Sequence, residues 1–168
     1  MLSIAAIAKH PVSIALVAAL ALAGCANKQV PNNAADIGLG SGAGGAPGSQ
    51  QEFTVSVGDR IFFDLDSSVI RADAQQVLTR QAQWLNKYTN YSITVEGHAD
   101  ERGTREYNLA LGARRAASAR DFLVSRGVAA NRIRTISYGK ERPVATCDDI
   151  SCWSQNRRAV TVLNGGSS

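Results

Sequence analysis

The sequence is poor in aromatic residues and histidine, and it contains no run of basic residues. Aromatic side chains make up 6% of the chain, and the net charge of +4 comes with arginines that are scattered or occur in pairs. Nucleic-acid-binding proteins carry a clustered basic patch, so this distribution argues against a nucleic-acid partner. The G-x-S-x-G, H-E-x-x-H and P-loop patterns are also missing. These absences favour a protein that is not an enzyme and that uses no cofactor.

Histidine and acidic residues come together once, at His98, Asp100 and Glu101. His98 and Asp100 are alternate residues at the end of a predicted strand, so their side chains can share a face. Two candidate ligands without a third make a weak metal site. We therefore expect no metal here, and we expect His98 to pack or to form hydrogen bonds beside a pocket.

One long apolar run extends from Val12 to Ala23. It is too short to span a bilayer, which needs about 20 apolar residues, and it fits the apolar region of a secretory signal. The run ends in Leu22-Ala23-Gly24-Cys25, which resembles a bacterial lipobox. This pattern predicts a lipoprotein signal peptide over residues 1–24 and a lipid on Cys25. The alternatives are an ordinary signal peptide followed by an unrelated cysteine, or a buried apolar helix.

A lipid on Cys25 would hold the mature protein on its membrane. Each buried methylene contributes ~0.8 kcal/mol, and stable anchoring takes more than one acyl chain, as bacterial lipoproteins carry. The next residue is Ala26, whereas many Gram-negative lipoproteins that stay in the inner membrane have aspartate there. We therefore expect an anchor in the outer membrane, with the remaining chain facing the periplasm.

The other two cysteines, Cys147 and Cys152, lie close together in the sequence. In an oxidising periplasm such a pair predicts a structural disulfide. Closing so small a loop contributes only ~2 kcal/mol in the chain-entropy model. The alternative is metal binding, but no histidine lies nearby to complete a zinc site.

The composition changes along the mature chain. Residues 25–50 include a glycine-rich stretch that cannot bury enough apolar surface to fold, so they predict a lipidated N-terminus and a flexible tether. Residues 51–166 are long enough for one globular domain with a single core. Their periodicity predicts strands at 60–63, 91–98, 134–138 and 158–163, and helices at 72–88 and 106–126. The fold class is therefore α/β, an α+β sandwich with helices on one side of a small sheet.

Residue spacing also predicts which side chains point into the domain. In the last strand, alternation places Val160 and Val162 inward. In the long helix, the apolar stripe that should meet the sheet consists of Leu109, Ala113, Ala116, Ala119 and Leu123. A different face, spaced by four, three and four residues, carries Thr104, Asn108, Leu111 and Arg115. We expect this second face to line a groove.

Asp100 and Arg115 are candidates for binding a ligand with two opposite charges. Asp100 lies between Gly97 and Gly103, which allow a loop to approach a ligand closely. A guanidinium binds a carboxylate through two parallel hydrogen bonds, and an aspartate accepts from an ammonium. Each such bond contributes ~1.5–3 kcal/mol when shielded from water. Alternatively, the two side chains pair with each other, or Asp100 caps the helix.

A motif runs through this region with fixed order and spacing. Its residues are Gly97, His98, Asp100, Gly103, Tyr107, Asn108, Leu111, Arg115 and Ala116, followed by Ser137-Tyr138-Gly139, Pro143 and Asn156-Arg157-Arg158. The pattern resembles the OmpA-like, peptidoglycan-associated domain family over nearly all of residues 52–163. The resemblance implies a small mixed four-stranded sheet. Ala99 and Gly112 depart from the family, in which threonine and serine are frequent there.

The resemblance also implies a binding site. In this family the residues that match Asp100 and Arg115 hold meso-diaminopimelate of the peptidoglycan stem peptide without a covalent bond. The segment Phe63-Asp64-Leu65-Asp66 matches the loop that lines the family's pocket. Together with Thr104, Asn108 and Leu111, these residues form the predicted peptidoglycan-binding site.

The lipobox, the short tether and the single domain resemble the lipoprotein members of the family in particular. That resemblance implies TolB and TolA as partners, with a role in envelope integrity and in constriction of the outer membrane at cell division. One alternative is a wall-anchoring lipoprotein that works without the Tol proteins. Another is a peptidoglycan hydrolase.

Overall fold

The computed structural model describes residues 44–165. The predicted signal peptide, Cys25 and most of the predicted tether lie outside these residues. In chain order the elements are α1 (Gln50–Glu52, continued by a π-helix at Phe53–Gly58), β1 (Arg60–Phe62), α2 (Ala72–Lys87), β2 (Ser92–His98), α3 (Arg105–Ser125), a 3₁₀ turn (Ala130–Arg132), β3 (Ile133–Gly139), α4 (Ile150–Asn156) and β4 (Arg158–Asn164). Within this part of the chain, every helix is too short or too polar to cross a bilayer.

The four strands form one mixed sheet in the order β1-β4-β2-β3. β4 pairs antiparallel with both β1 and β2, whereas β2 and β3 are parallel and are connected through α3. The two long helices cover one face of the sheet, and their apolar residues form the core with Ile93, Val95 and Ile133 of the strands. The predicted α/β class and the mixed four-stranded sheet are confirmed.

The long helix α3 has a defined signal at each end. The hydroxyl of Thr104 accepts a hydrogen bond from the Tyr107 backbone N–H, which is the usual N-cap bond. At the other end Gly127 has a φ of +92° and donates to the Val124 carbonyl, while Val128 donates to the Leu123 carbonyl. These two bonds form a Schellman motif, which fixes the end of the helix and buries Val128 against Leu123.

α3 lies unusually close to the sheet where its N-terminal half crosses β2. A Cβ atom on Gly97 would clash with the backbone carbonyl of Gly112, and a Cβ atom on Gly112 would lie 2.4 Å from the Ser137 hydroxyl. Neither position therefore has room for a side chain. The departure from serine at Gly112 is explained by this contact, because the glycine allows the helix to approach Gly97.

Two predictions about inward-facing residues are wrong. In β4 the residues that face the helices are Ala159 and Thr161, which are buried, while Val160 and Val162 lie on the opposite face and are half-buried. Thr161 is tolerated there because its hydroxyl donates to the Gln81 side chain at 2.8 Å. In this register Ala159 pairs with Gly97 of β2, and a shift by one residue would move Ala159 and Thr161 to the opposite face of the sheet.

The apolar stripe of α3 also differs from the predicted one. Leu109 and Ala113 are exposed, and the buried positions in this half of the helix include Asn108, Leu111 and Arg115. The predicted groove face and the face that meets the sheet are therefore adjacent parts of one buried surface. Polar side chains are tolerated on this buried surface because they form hydrogen bonds with backbone groups. The Asn108 side chain, for example, donates to the Arg102 carbonyl at 2.7 Å.

Part of the predicted tether packs on the domain. The Gly48 carbonyl accepts a hydrogen bond from the Tyr91 hydroxyl at 2.8 Å, and the Gly48 N–H donates to Glu52 at 2.7 Å. The Glu52 carboxylate also accepts from the Trp84 indole at 2.7 Å. Phe53 then packs on Trp84, with the ring centroids 4.9 Å apart. The ordered contacts of the domain thus begin before residue 51.

α4 was not predicted from the sequence, and it lies between the loop after β3 and the start of β4. Asp149 caps it by accepting from the Ser151 N–H at 2.7 Å, and Asn156 hydrogen-bonds to the backbone of Val144 and Ala145. Cys147 and Cys152 are joined by a disulfide, with their Cα atoms 5.6 Å apart. This arrangement holds Arg157, the residue after α4, at the edge of the candidate site.

Candidate functional site

A cleft of about 230 Å³ opens at the N-terminal end of α3. The loop after β2 forms one wall, the helix forms the floor, and the loop after β1 forms the other wall. The residues that line it are Leu65, Asp66, Asp100, Arg102, Gly103, Tyr107, Asn108, Leu111 and Arg115. Six of the nine predicted peptidoglycan-binding residues are therefore brought together: Leu65, Asp66, Asp100, Asn108, Leu111 and Arg115.

Arg115 lines the cleft and is buried, with a relative exposure of 0%. Its guanidinium donates to three backbone carbonyls: Nε to Ser67 at 2.8 Å, Nη1 to His98 at 2.8 Å and Nη2 to Asp64 at 3.1 Å. An arginine has five N–H groups, so one N–H on each Nη remains without a partner among the described residues. Two uncommitted donors on one rigid guanidinium suit a carboxylate.

The pKa of Arg115 is lowered to about 10, chiefly because burial removes water from the cation, while the charge of Asp100 partly offsets this effect. The group is therefore still cationic at neutral pH. Its positive charge is held by carbonyl dipoles and by the Phe63 ring, whose centroid lies 5.2 Å from the guanidinium carbon. Arg115 thus connects the loop after β1 to β2, and it is a structural residue as well as a cleft residue.

Asp100 lies on the wall of the cleft and is 6% exposed. It does not pair with Arg115, so the alternative in which these two side chains neutralise each other does not occur. Its partners are Arg102, through Nε at 3.2 Å, Nη2 at 2.5 Å and the backbone N–H at 3.3 Å, and Arg157, through Nη1 at 3.3 Å. Burial alone raises the pKa of Asp100, but the hydrogen bonds from Arg102 and Arg157 outweigh it, and the net pKa is lowered.

The hydrogen bonds to Asp100 occupy both of its oxygens. Each oxygen accepts two donors, and a carboxylate offers about four acceptor positions in total. The Arg157 guanidinium is buried, whereas the Arg102 side chain is 37% exposed. A cation that approaches Asp100 must therefore compete with Arg102, the more exposed of the two arginines, whose guanidinium carbon also lies 4.1 Å from the centroid of the Trp153 ring.

The remaining predicted residues contribute less directly. Phe63 lies behind the cleft under Arg115, and Asp64 offers its backbone carbonyl while its carboxylate pairs with Arg71 at the surface. Thr104 does not line the cleft, since its hydroxyl caps α3. Asp66 has a φ of +53°, which turns its side chain to accept a hydrogen bond from the Tyr107 hydroxyl across the mouth of the cleft.

Sequence reasoning missed four residues at this site: Arg102, Gly103, Tyr107 and Arg157. All four belong to the motif or lie within its span, and the first three are also close to Asp100 in the sequence. Arg157 lies 57 positions from Asp100, and only the antiparallel pairing of β4 with β2 brings it there.

His98 lies next to the cleft on the far side of β2 and is 2% exposed. Its Nδ1 and Nε2 atoms make no hydrogen bond within residues 44–165, and Nε2 lies 3.5 Å from the Glu96 carboxylate. Burial, together with the charges of Arg158 and Arg142, lowers its pKa to about 4, so the imidazole is neutral at pH 7. A neutral ring forms no ion pair with Glu96, and it packs on Tyr138 with centroids 5.6 Å apart.

The chemistry available in the cleft is recognition of charge. Among the described residues, no three His, Cys, Asp or Glu side chains converge on one point. The cleft instead offers the uncommitted N–H groups of Arg115 and the carboxylate of Asp100, for which a ligand must compete with Arg102. The apolar side chains of Leu65 and Leu111 also line it.

The comparisons with known proteins agree with this arrangement. The sequence matches the OmpA family over residues 62–157. It is 74% identical to a peptidoglycan-associated lipoprotein of Mesorhizobium japonicum over 165 residues, which is 98% of each chain. The structure resembles the crystal structure of the peptidoglycan-associated lipoprotein from Burkholderia pseudomallei, with a TM-score of 0.64, 40% identity, and coverage of 66% of this chain and 96% of that one.

A second structural relative is the C-terminal domain of Helicobacter pylori MotB. It has a TM-score of 0.61 and 25% identity, and the match covers 65% of this chain and 86% of the MotB domain. The fold is therefore shared with the MotB domain, while the similarity over 98% of the chain is to a peptidoglycan-associated lipoprotein. The chain belongs to the OmpA family, a binding rather than a catalytic family, and within it to the peptidoglycan-associated lipoproteins.

Proposed function

We propose that the cleft binds the diaminopimelate residue of peptidoglycan stem peptides without a covalent bond. The observation that carries the proposal is that Asp100 and Arg115 line one cleft and do not pair with each other. The cleft volume of about 230 Å³ lies below the range for drug-sized ligands. This volume suits the end of one amino acid side chain rather than a larger peptidoglycan fragment.

Arg115 binds the carboxylate of the ligand in this proposal. Three carbonyls hold the guanidinium rigid, so the two remaining N–H groups are already oriented when the ligand arrives. Little side-chain entropy is lost on binding, which favours affinity. The pKa of about 10 keeps the cation charged at any pH at which a bacterial envelope functions.

Asp100 accepts the ammonium of the same ligand. The ammonium takes the acceptor positions that Arg102 vacates, and Arg157 stays in place beneath the carboxylate. Binding therefore exchanges one partly exposed ion pair for another, so the ligand gains less from Asp100 than from an unpaired carboxylate. Diaminopimelate carries both charges at the end of its side chain, whereas lysine carries only the ammonium and leaves Arg115 unpaired.

The replacement Asp100→Asn tests this assignment, because it removes the charge with almost no change in shape. We expect the affinity for intact peptidoglycan, measured by co-sedimentation, to fall by about 10- to 100-fold, as for loss of a charged hydrogen bond. Asp121→Asn removes an exposed carboxylate on α3 outside the cleft and serves as the control. Equal sedimentation of the two variants, both shown to be folded by circular dichroism, would remove Asp100 from the site.

The lipid anchor is a separate part of the proposal. The match over 98% of a full lipoprotein and the Leu22-Ala23-Gly24-Cys25 sequence support acylation of Cys25 and an outer-membrane location. Replacing Cys25 with serine should release the protein from washed membranes into the soluble periplasmic fraction. A serine variant that still fractionates with the outer membrane would contradict the anchor.

We further propose that the protein works with TolB and TolA in constriction of the outer membrane at division. Support comes from its similarity along the whole length to peptidoglycan-associated lipoproteins rather than to the MotB domain alone. Affinity purification from periplasm should recover TolB. Recovery of peptidoglycan fragments without TolB would favour a wall anchor that acts independently of the Tol proteins.

A further inference from the structure

A second cavity, of about 270 Å³, lies on the other side of the loop that walls the cleft. Phe63 lines the second cavity, while Leu65 and Asp66 line the cleft, so residues 63–66 separate the two spaces. The other residues around the second cavity are Phe62, Arg71, Asp73, Ser154, Gln155 and Arg157. None of them has a role in the function proposed above, apart from the contact of Arg157 with Asp100.

Arg157 connects the two cavities. Its side chain is 9% exposed, its Nε donates to the Phe63 carbonyl at 3.1 Å, and its Nη1 donates to Asp100 at 3.3 Å. These bonds use two of its five N–H groups, so three N–H groups, including both on Nη2, have no partner among the described residues. A buried guanidinium with uncommitted donors at a cavity wall points to an anionic ligand.

The charges around the second cavity agree with this chemistry. Arg71 and Arg157 contribute two positive charges and Asp73 one negative charge to the lining, while the Asp64 and Asp100 carboxylates, which pair with these arginines, lie outside it. Arg71 spends three N–H groups on Asp64 and Asp73, which leaves one N–H on each of its Nη atoms without a partner in the described part of the chain. Two arginines with uncommitted donors therefore line a space whose apolar lining residues are Phe62 and Phe63.

We infer that this second cavity is a subsite for a carboxylate of the same stem peptide. The inference rests on the proposed binding of diaminopimelate in the cleft. A ligand carboxylate bound to Nη2 of Arg157 would lie roughly 8 Å from the Asp100 carboxylate. This distance is the sum of two hydrogen bonds and the width of a guanidinium. In a γ-glutamyl-diaminopimelate unit about eleven bonds join the glutamate α-carboxyl carbon to the side-chain ammonium, so an extended unit is longer than this distance. The glutamate that precedes diaminopimelate in the stem peptide has a free α-carboxylate within this reach.

The test compares two tripeptides, alanyl-γ-glutamyl-diaminopimelate and the same peptide with the glutamate α-carboxylate converted to an amide. Binding to the full-length protein in detergent is measured by isothermal titration calorimetry. We expect the carboxylate form to bind at least fivefold more tightly than the amide, because only the carboxylate satisfies the two arginines.

The variant Gln155→Glu places a competing carboxylate at the rim of the second cavity, and Gln155 is exposed, so the fold should tolerate it. This variant should bind the two peptides with equal affinity. Gln83→Glu adds the same charge on an exposed face of α2 outside both cavities and should keep the discrimination of the unmodified protein.

The outcomes separate this inference from the function on which it rests. Equal affinity of the unmodified protein for both peptides, or discrimination that persists in Gln155→Glu, overturns the subsite and leaves the cleft assignment intact. Absence of binding to either peptide overturns both proposals.

Discussion

Arg115 holds the cleft together, and its removal should destabilise the whole domain. In Arg115→Ala the carbonyls of Asp64, Ser67 and His98 lose their donor. The bond to the His98 carbonyl is buried, and a buried acceptor left without a partner costs about 1–3 kcal/mol, whereas the other two bonds are only partly buried. The fully buried side chain also leaves a cavity, which costs about 2–5 kcal/mol. The total of at least about 3 kcal/mol is a large fraction of the 5–15 kcal/mol typical of a domain.

Urea unfolding followed by tryptophan fluorescence measures this loss, since Trp84 lies in the core. With a slope of roughly 1–1.5 kcal/mol per molar urea, the midpoint should fall by about 2 M or more. The neighbouring Arg114→Ala is the control, because Arg114 is exposed and makes no hydrogen bond in the described structure. A midpoint for Arg115→Ala within about 0.5 M of that control would refute the structural role of Arg115.

This result affects how binding experiments on Arg115 are designed. Because Arg115 bonds three backbone carbonyls, loss of peptidoglycan binding in Arg115→Ala would not separate recognition from folding. Arg115→Lys keeps the charge but lacks the planar fork, so it cannot serve three carbonyls and a ligand at once. We expect Arg115→Lys to remain folded at low temperature and to lose affinity for peptidoglycan.

Three further predictions concern residues around the cleft. Arg102→Met should tighten diaminopimelate binding by up to about fivefold, as measured by calorimetry, because the ligand no longer displaces an ion pair worth about 0.2–1 kcal/mol. Weaker binding would mean that Arg102 contacts the ligand itself. In Gly97→Ala the new Cβ atom would clash with the Gly112 carbonyl, which should cost a few kcal/mol of stability and lower the melting temperature by about ten degrees or more. An unchanged melting curve would refute the close contact. His98 has a pKa of about 4 in the folded chain, mainly because of burial, against an ordinary pKa of 6.5 for histidine. The unfolded chain therefore takes up the proton first, and the free energy of unfolding should decrease by about 3 kcal/mol as the pH falls from 6.5 to 4. His98→Gln should lack this slope, and an identical slope in the variant would assign it to other groups.

The sequence predicts the main elements of the fold because their periodicity is strong. The helix predicted at 72–88 is observed at Ala72–Lys87, and the strand predicted at 91–98 is observed at Ser92–His98. α1 and α4 were not predicted, because a helix of three to seven residues shows too few turns for a periodic pattern.

The errors in side-chain direction have a common physical cause. Val160 and Val162 are more hydrophobic than Thr161, so alternation alone places them inward. The observed register instead buries Thr161, whose hydroxyl finds Gln81 on a helix 80 residues away in the sequence. Leu109 is exposed and Arg115 is buried for a similar reason, since the carbonyls that accept from Arg115 belong to the loop after β1 and to the end of β2. Long-range polar partners decide these positions, and a single sequence does not show them.

The candidate site was predictable in its members but not in its connections. The motif identified Asp100, Asn108, Leu111 and Arg115, and the structure places all four around one cleft. The sequence left open whether Asp100 and Arg115 pair with each other. It also gave no indication that Asp100 is bound by Arg102 and Arg157, which is the feature that determines how a ligand must enter.

The most direct test of the proposed recognition is a crystal structure of the domain with a stem tripeptide that contains diaminopimelate. In the proposed mode of binding, a ligand carboxylate lies on the two uncommitted Nη donors of Arg115, a ligand ammonium lies on Asp100, and the Arg102 side chain is turned away from Asp100. A tripeptide bound outside the cleft, or bound while Asp100 still holds all four of its present donors, would contradict it.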